Sequence, residues 1–231
     1  MSTRRVVSPW VAAGDREKVR SDKREAVLRM AAQVFNEKGY LATSLDEVAE
    51  RLHVTKPTLY YYVKSKEDIL YKCVHIGLTM LQDAIREVDA AGGRAIDKLM
   101  AAMRKYVEIV TMDFGMCVIR VGEAPLPPES QRKLRRLKAA IDGEFRELIR
   151  LGIEEGSIKP CDPKIAAFTL AGALSWIGRW YQPAGPLSPA DIADQCIALL
   201  ANGLCTGKMP ARPRKAPIAG RRRAINTNPK L

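Results

Sequence analysis

Two helix-start signals lie only eleven residues apart, and this spacing constrains the fold more than any other feature of the chain. Ser44 stands three residues before Glu47 at the head of an apolar run, which is the pattern of a capping box. Thr55 precedes Pro57, and proline is tolerated in the first turn of a helix because the amides there have no intrahelical partner. The first helix is expected to end near His53. The stretch therefore predicts two short helices joined by a tight turn.

The two short helices have one apolar face and one polar face. Leu45, Val48 and Leu52 fall at one-face spacing and predict a buried stripe. The second helix carries three consecutive tyrosines, which cannot all be buried, and phosphate oxygens and base edges are suitable partners for exposed phenols. The alternative is that the tyrosines form a solvated or interdomain surface and that the nearby lysines only add solubility.

The stretch GYLATSLDEVAERLHVTKPTLYYYVKSKEDIL resembles the DNA-binding domain of the tetracycline-repressor (TetR) family of bacterial transcriptional regulators. The similarity includes the preceding helix, Lys23 to Lys38, which Gly39 ends, and it covers roughly residues 22 to 70. It implies a DNA-binding domain of three helices. One departure is Val63, which stands where many relatives carry phenylalanine; both are apolar, so the packing role is kept.

The resemblance also implies which side chains contact double-stranded DNA. Lys56, Thr58 and Tyr61 match positions that point toward the major groove, while Thr55 begins the recognition helix. A second set of positions mostly holds the phosphate backbone in the family, with amides at the start of the Ser44 helix contributing as well. That set comprises Thr43, Ser44, Tyr60, Tyr62 and Lys66.

Positive charge is concentrated at the two ends of the 231-residue chain. Residues 1–66 carry 13 Lys/Arg against 8 Asp/Glu, residues 67–207 carry 17 against 18, and residues 208–231 carry 8 against none. This pattern is expected if only the ends approach a polyanion. We divide the chain into a flexible basic arm (1–21), a helix-turn-helix domain (22–66), a domain for effector binding and dimerisation (67–207) and a disordered basic tail (208–231).

The composition argues against several other classes of protein. The five cysteines are widely spaced with no CxxC pair, so neither a disulfide framework nor a metal site is predicted, and no cofactor motif is present. No Gly-rich phosphate loop or nucleophile elbow suggests an enzyme. No apolar run is long enough to span a bilayer and no signal peptide is evident, so we expect no membrane association and a cytoplasmic location.

Beyond Leu70 the periodicity is helical throughout, which predicts an all-α protein with a C-terminal bundle. The breaks in the pattern are Gly92-Gly93, residues 125–128, 156–163 and 183–189. The expected helices run from Ser65 to Ala91, Arg94 to Met112, Pro128 to Glu155, Pro163 to Tyr181 and Ser188 to Cys205.

The last two of these helices are unusually apolar. Two copies packing them as a four-helix bundle would bury more apolar surface than one copy can, and a twofold axis would present two recognition helices to the half-sites of a palindromic operator. We therefore expect a homodimer, and the resemblance implies the same.

The middle helices carry flexible apolar side chains that suit either an ordinary core or a pocket for a small hydrophobic effector. Regulators similar to this chain keep a ligand cavity there. The candidate lining residues are Met103, Tyr106, Val107, Val110 and Phe114.

The segment WIGRWYQPAGPLSPADIADQ resembles more weakly a TetR subgroup that controls lipid, steroid or aromatic-acid breakdown and responds to acyl-CoA thioesters. On that resemblance, Arg179 beside Trp176 and Trp180, together with Arg146, would serve a phosphate or adenine. Alternatively, the tryptophans anchor a dimer helix and Arg179 pairs with a carboxylate. A repressor of drug or lipophile efflux with a hydrophobic inducer, and a basic architectural DNA-binding protein, are the remaining alternatives.

Overall fold

A computed structural model describes residues 16–202 as helices joined by turns, with no strand in that part of the chain. This confirms the predicted all-α class. The N-terminal segment up to residue 15 and the basic tail from residue 208 lie outside the described residues. In chain order the helices are α1 (Arg16–Lys38), α2 (Leu45–Arg51), α3 (Lys56–Tyr60), α4 (Lys66–Ala90), α5 (Ala95–Val110), α6 (Asp113–Arg120), α7 (Pro128–Glu154), α8 (Pro163–Trp180) and α9 (Pro189–Asn202).

The structure differs from the sequence prediction at the start of one helix and in the presence of one additional helix. Helix α1 begins at Arg16 rather than near Lys23, so residues 16–21 of the expected flexible arm are helical. Helix α6 was not predicted at all. Its N-cap residue, Met112, offers no side-chain hydrogen bond, and Gly115 lies inside the helix, so the usual start signal is missing and a helix breaker is present.

Helices α1 to α3 pack into a small unit whose apolar contacts were expected. Val27, Phe35 and Leu59 are fully or almost fully buried, and Val63 is 2% exposed, as its packing role requires. The buried apolar residues of this unit belong to the same core as those of the larger bundle. Cys73 of α4 also donates its Sγ proton to the carbonyl of Leu28 on α1. Helices α2 and α3 are thus fixed to the body through α1.

In the larger bundle, α4 packs against α5, α6 and α7, and α5 packs against α8 and α9. Phe145, Leu134, Ile149, Leu174 and Ile177 are among its largest fully buried side chains. Burial in this core raises the pKa of the Cys117 thiol to about 12 and also raises that of Cys73. Both cysteines are free and poorly reactive, in agreement with their interpretation as small core residues.

Asp113, at the start of α6, joins α6 to α1. Gln33 donates from Nε2 to the Asp113 carboxylate at 2.9 Å, and Asn36 donates from Nδ2 to the Asp113 carbonyl at 2.9 Å.

Gly115 lies one residue beyond Phe114, where α6 turns tightly against the end of α5. A Cβ at Gly115 would lie 1.9 Å from the carbonyl oxygen of Ile109.

Arg120, at the other end of α6, joins three elements. Its guanidinium donates to the carbonyl of Gly178 at 2.8 Å, to that of Tyr181 at 2.7 Å and to that of Asn36 at 3.3 Å. These acceptors lie at the C-terminal ends of α8 and α1, where helix carbonyls lack intrahelical partners.

Within residues 16–202, no helix combines the length and apolar character needed to cross a membrane.

Candidate nucleic-acid interface and ligand cavities

Side-chain caps set the starts of both short helices. The Ser44 hydroxyl accepts from the Glu47 amide at 3.1 Å, and the Thr55 hydroxyl accepts from the Thr58 amide at 3.4 Å. His53, in the turn between the helices, has φ of 55°, a left-handed conformation that closes the turn. The sequence therefore encodes the helix-turn-helix locally.

The capping box at Ser44 is only half formed. Instead of reaching back to the cap, the Glu47 carboxylate lies 2.7 Å from Lys38 and 3.0 Å from Arg51. A hydrogen bond from Lys38, with Arg51 adding to it, holds the pKa of this carboxyl below its ordinary value. Glu47 therefore ties α2 to the end of α1.

The three tyrosines divide between solvent and core. Tyr60 is 47% exposed and Tyr61 is 64% exposed, whereas Tyr62 is half-buried and packs against the core. The rings of Tyr61 and Tyr62 meet edge to face with centroids 5.0 Å apart. The prediction that the three cannot all be buried is confirmed.

The Lys56 ammonium is not isolated on the α3 surface. Its Nζ lies 2.8 Å from the Asp46 carboxylate on α2, in a pair whose members are 46% and 65% exposed. Such an exposed pair contributes little to stability. Lys56 can therefore leave Asp46 for a nucleic-acid partner at little cost.

A residue that sequence reasoning missed also lies at this surface. The Arg20 guanidinium, on the helical extension of α1, stands 5.2 Å from the centroid of the Tyr61 ring. No pattern in the sequence signals this contact, because Arg20 was assigned to a flexible arm. The contact orients an exposed ring that would otherwise rotate freely.

Lys66 and Thr43, both expected at the phosphate backbone, have different environments. The Lys66 ammonium lies 4.4 Å from the Tyr40 ring centroid and donates to the Leu41 carbonyl at 3.4 Å, close to solvent. Thr43 is only 3% exposed, and its hydroxyl donates to the Gly39 carbonyl at 2.9 Å. The Thr43 side chain therefore braces the turn before α2, and the phosphate contact expected at this position stays a prediction.

The candidate effector residues do not line one cavity. Met103, Val107 and Val110 are buried in the core, and they line neither the cavity beside Tyr106 nor the cavity beside Phe114. Tyr106 and Phe114 face two separate cavities. The sequence correctly placed these five residues inside the bundle, but it did not distinguish packed volume from empty volume.

Tyr106 lines an interior cavity of about 270 Å³ between α4, α6, α7 and α8. Its hydroxyl is 2.7 Å from the Ser175 hydroxyl, and burial raises the pKa of the phenol. Arg146 lies near this cavity, where its guanidinium is 5.1 Å from the Phe168 ring centroid and pairs with Asp142. Phe168 and Asp142 both line the cavity, which is therefore largely apolar with a few polar groups at one side.

Phe114 lines a larger cavity of about 810 Å³ where α1 meets α4 and the connection between α5 and α6. No pattern in the sequence predicts this cavity. Its walls come from segments about thirty or more residues apart in the chain, and hydrophobic periodicity identifies buried faces but not the gaps between them.

Trp176 and Trp180 lie on the outer face of α8 and are 65% and 46% exposed. Ile165 and Phe168, on the same helix, are 63% and 51% exposed, and Leu199 of α9 is 53% exposed. We call these five residues the α8–α9 apolar face. Exposed apolar side chains of this size, four of them on a single helix, are typical of a protein–protein interface.

Arg179 does not pair with a carboxylate among the described residues. Its Nη1 donates to the carbonyl of Arg120 at 3.4 Å, and the two arginines border a shallow depression with Trp180. Burial, with Arg179 nearby, lowers the pKa of the Arg120 guanidinium. The alternative in which Arg179 pairs with a carboxylate therefore finds no such partner within residues 16–202.

Comparisons with known proteins agree with this surface. Residues 27–72 match the family model described as bacterial regulatory proteins of the tetR family, and residues 92–204 match that of the tetracyclin repressor-like C-terminal domain. The transcriptional regulator RutR of Escherichia coli K12 is 30% identical over 169 residues, which cover 68% of this chain and 74% of RutR. The transcriptional repressor KstR2 of Mycolicibacterium smegmatis is 24% identical over 193 residues, covering 80% of this chain and 91% of KstR2.

Among solved structures, AibR in complex with isovaleryl coenzyme A and operator DNA is 26% identical, with a TM-score of 0.68. The match covers 77% of this chain and 97% of AibR. The capped helix pair and the helical body define a DNA-binding transcriptional regulator. The chain belongs to the TetR family, whose members are regulators and not enzymes.

Proposed function

We propose that the protein is a homodimeric repressor that binds a palindromic operator and leaves it when a small hydrophobic effector binds to the body. The observation that carries this proposal is the exposed face of α3, where Tyr60 and Tyr61 project beside Lys56 from a helix whose start is fixed by a cap. In this proposal residues 22–66 bind DNA, and residues 67–207 bind the effector and the second protomer.

Two kinds of DNA contact follow from this geometry. Lys56 and Thr58 read bases from the first turn of α3 and Tyr61 reads them from its C-cap, since side chains of a recognition helix reach base edges in the major groove. Ser44, Tyr60, Tyr62 and Lys66 hold phosphates, and the Thr55 cap keeps the first turn of α3 in place. Arg20 supports Tyr61 from the side.

The α8–α9 apolar face supports the homodimer. A second copy related by a twofold axis would bring the same face against itself, as isologous interfaces require. Ala173 and Gly172 are exposed on α8 between the aromatic residues, and a Cβ at Gly172 would meet nothing within 4 Å, so a neighbouring helix can approach closely.

The interior cavity beside Tyr106 supports a bound effector. Its volume of about 270 Å³ is close to the lower limit of small-molecule sites and suits a short acyl chain. AibR, which resembles this chain, is known in complex with isovaleryl coenzyme A. We propose that the effector is an acyl-CoA thioester, with the acyl chain in this cavity and Arg146 near a phosphate; a neutral lipophilic inducer is the second candidate.

The effector would act by binding one arrangement of the helices better than another. Helix α6 lines the interior cavity through Val118 and Ile119, and it is hydrogen-bonded to α1 through Asp113. A shift of α6 on effector binding is thereby transmitted to the DNA-binding helices. Differential binding of a few kcal/mol is sufficient to release an operator.

Operator selection from random duplexes tests the DNA-binding face. We expect an inverted repeat with half-site centres about 34–36 Å apart. Against that duplex, Lys56→Ala and Tyr61→Ala should each weaken binding by about 1–3 kcal/mol while a scrambled duplex is bound almost unchanged, because base contacts carry the sequence preference. Fluorescence anisotropy measures both affinities.

Lys66→Gln is the matched control in that experiment. It should weaken binding to the operator and to the scrambled duplex alike and reduce the salt slope by about 1, because a phosphate contact carries no sequence information. An unchanged operator preference in both α3 variants, or the absence of an inverted repeat, would contradict the assigned face.

Isovaleryl-CoA is expected to weaken operator binding by about tenfold or more, whereas coenzyme A alone should have little effect, because only the thioester places a chain in the interior cavity. Ala171→Phe fills that cavity and should abolish the response, while Ala139→Phe, on the exposed face of α7, should preserve it. If isovaleryl-CoA still weakened operator binding by the Ala171→Phe protein, the effector would have to bind outside this cavity. If only neutral lipophiles released the protein from the operator, the alternative of an efflux regulator would be favoured.

A further inference from the structure

The cavity of about 810 Å³ between the DNA-binding helices and the body has the composition of a ligand site that the proposed function does not use. It is separate from the interior cavity: it is bounded by α1, by the first turns of α4 and by the start of α6, whereas the interior cavity is bounded by α7 and α8. Its volume falls within the usual range of small-molecule sites.

The floor of this junction cavity is apolar. Leu28, Phe114 and Met116 are buried and line it, and Ile76 and Met80 of α4 complete the wall. Methionine side chains adapt their shape to the ligand that they contact. An extended hydrocarbon chain fits such a floor better than a polar molecule does.

Three cations surround the opening: Arg24 and Arg29 on α1 and Lys72 on α4. Arg29 pairs with Glu25 at 2.6 Å, with both side chains more than half exposed, and Lys72 pairs with Asp68 at 2.5 Å. Arg24 is within ion-pairing distance of no carboxylate among residues 16–202, although the charge of Asp68 is near enough to act on it.

Two acidic groups line the same cavity, and neither cancels the cations at the opening. The Asp113 carboxylate accepts a hydrogen bond from Gln33 at 2.9 Å. Glu25 pairs with Arg29 at 2.6 Å, and such an exposed pair is weak and readily exchanged for another anion. The opening therefore favours an anion over a neutral or cationic group.

We propose that this junction cavity binds an apolar molecule carrying one carboxylate, with its chain on the floor formed by Ile76, Met80 and Phe114 and its carboxylate between Arg24 and Arg29. Guanidinium groups bind carboxylates through paired, charge-assisted hydrogen bonds. The site is additional to the effector cavity of the proposed function. Its ligand contacts α1 and α4 at once, so its binding depends on how the DNA-binding helices are held against the body.

Titration calorimetry of the full chain with decanoate and with 1-decanol tests the proposal. We expect decanoate to bind about tenfold more tightly than 1-decanol, because only the acid engages the arginines. The double variant Arg24→Gln/Arg29→Gln should lose most of that difference and leave 1-decanol binding almost unchanged. The matched control is Arg132→Gln/Arg136→Gln on the exposed face of α7, which should bind decanoate as the unsubstituted protein does.

Filling the cavity provides a second, independent test. Met80→Trp should weaken both ligands by about tenfold or more, and Ile76→Phe serves if Met80→Trp does not fold, as judged by thermal unfolding. The proposal is overturned if decanoate does not bind, if 1-decanol binds equally well, or if decanoate binding survives both the double variant and the filled cavity. None of these outcomes bears on operator binding by α3 or on the response of Ala171→Phe, so failure here is distinguishable from failure of the proposed function.

Discussion

A Trp176→Asp protein is expected to be a monomer and to bind the operator about 100-fold more weakly than the unsubstituted protein. Trp176 is 65% exposed at the centre of the α8–α9 apolar face. A carboxylate there would be desolvated without a partner on dimerisation, and two such groups would face each other across the twofold axis. Loss of the dimer removes the gain from engaging two half-sites with one molecule, which is worth about 10²–10⁴ in apparent affinity.

Size-exclusion chromatography with light scattering gives the mass, and anisotropy gives the operator affinity. Leu151→Asp is the matched control, because Leu151 is also an exposed apolar residue but lies on α7, where it borders α4. That variant should remain a dimer with normal affinity. If Trp176→Asp remained a dimer, the interface would have to lie on another surface.

A Gly115→Ala protein is expected to lose at least about 3 kcal/mol of the free energy of unfolding, or to be recovered only in insoluble form. An added Cβ would lie 1.9 Å from the Ile109 carbonyl oxygen and 2.9 Å from the Val110 Cα. These are backbone atoms, which cannot rotate away as a flexible side chain can, so α6 would have to separate from α5. For a chain of this size the melting temperature should fall by roughly 6–12 °C.

Gly143→Ala is the control, because Gly143 lies within α7 and a Cβ there would meet nothing within 4 Å. Alanine has less conformational freedom to lose and a higher helix propensity, so this variant should gain about 0.5–1 kcal/mol. Differential scanning calorimetry compares the two variants directly. Similar melting temperatures for both would contradict the close approach of α5 and α6.

The sequence predicted the elements whose signals are local. Ser44, Thr55 and Ser65 each cap a helix through their own side chains, so three helix starts can be predicted from a few adjacent residues. The outward position of Tyr60 and Tyr61 was likewise predictable, because the opposite face carries Leu59 and Val63. Periodicity determines which face of a helix is buried.

The sequence did not predict features that depend on contacts between distant segments. The fate of Thr43 depends on the Gly39 carbonyl, which reaches its hydroxyl only after the turn has formed. The cavities depend on gaps between helices: Phe114 lines the larger cavity and Met103 does not, although both are buried apolar residues. Arg20 contacts Tyr61 only because α1 extends to residue 16.

Arg120 has a mechanical consequence. One guanidinium fastens the last turn of α8 and the last turn of α1 to the same point, through carbonyls that have few other donors available. In the proposed homodimer, the angle at which α8 meets the partner would therefore set the direction in which α1 leaves the body. A change in the packing of the two protomers would then change the separation of their DNA-binding helices, so a substitution at Arg120, far from either cavity, would change operator affinity.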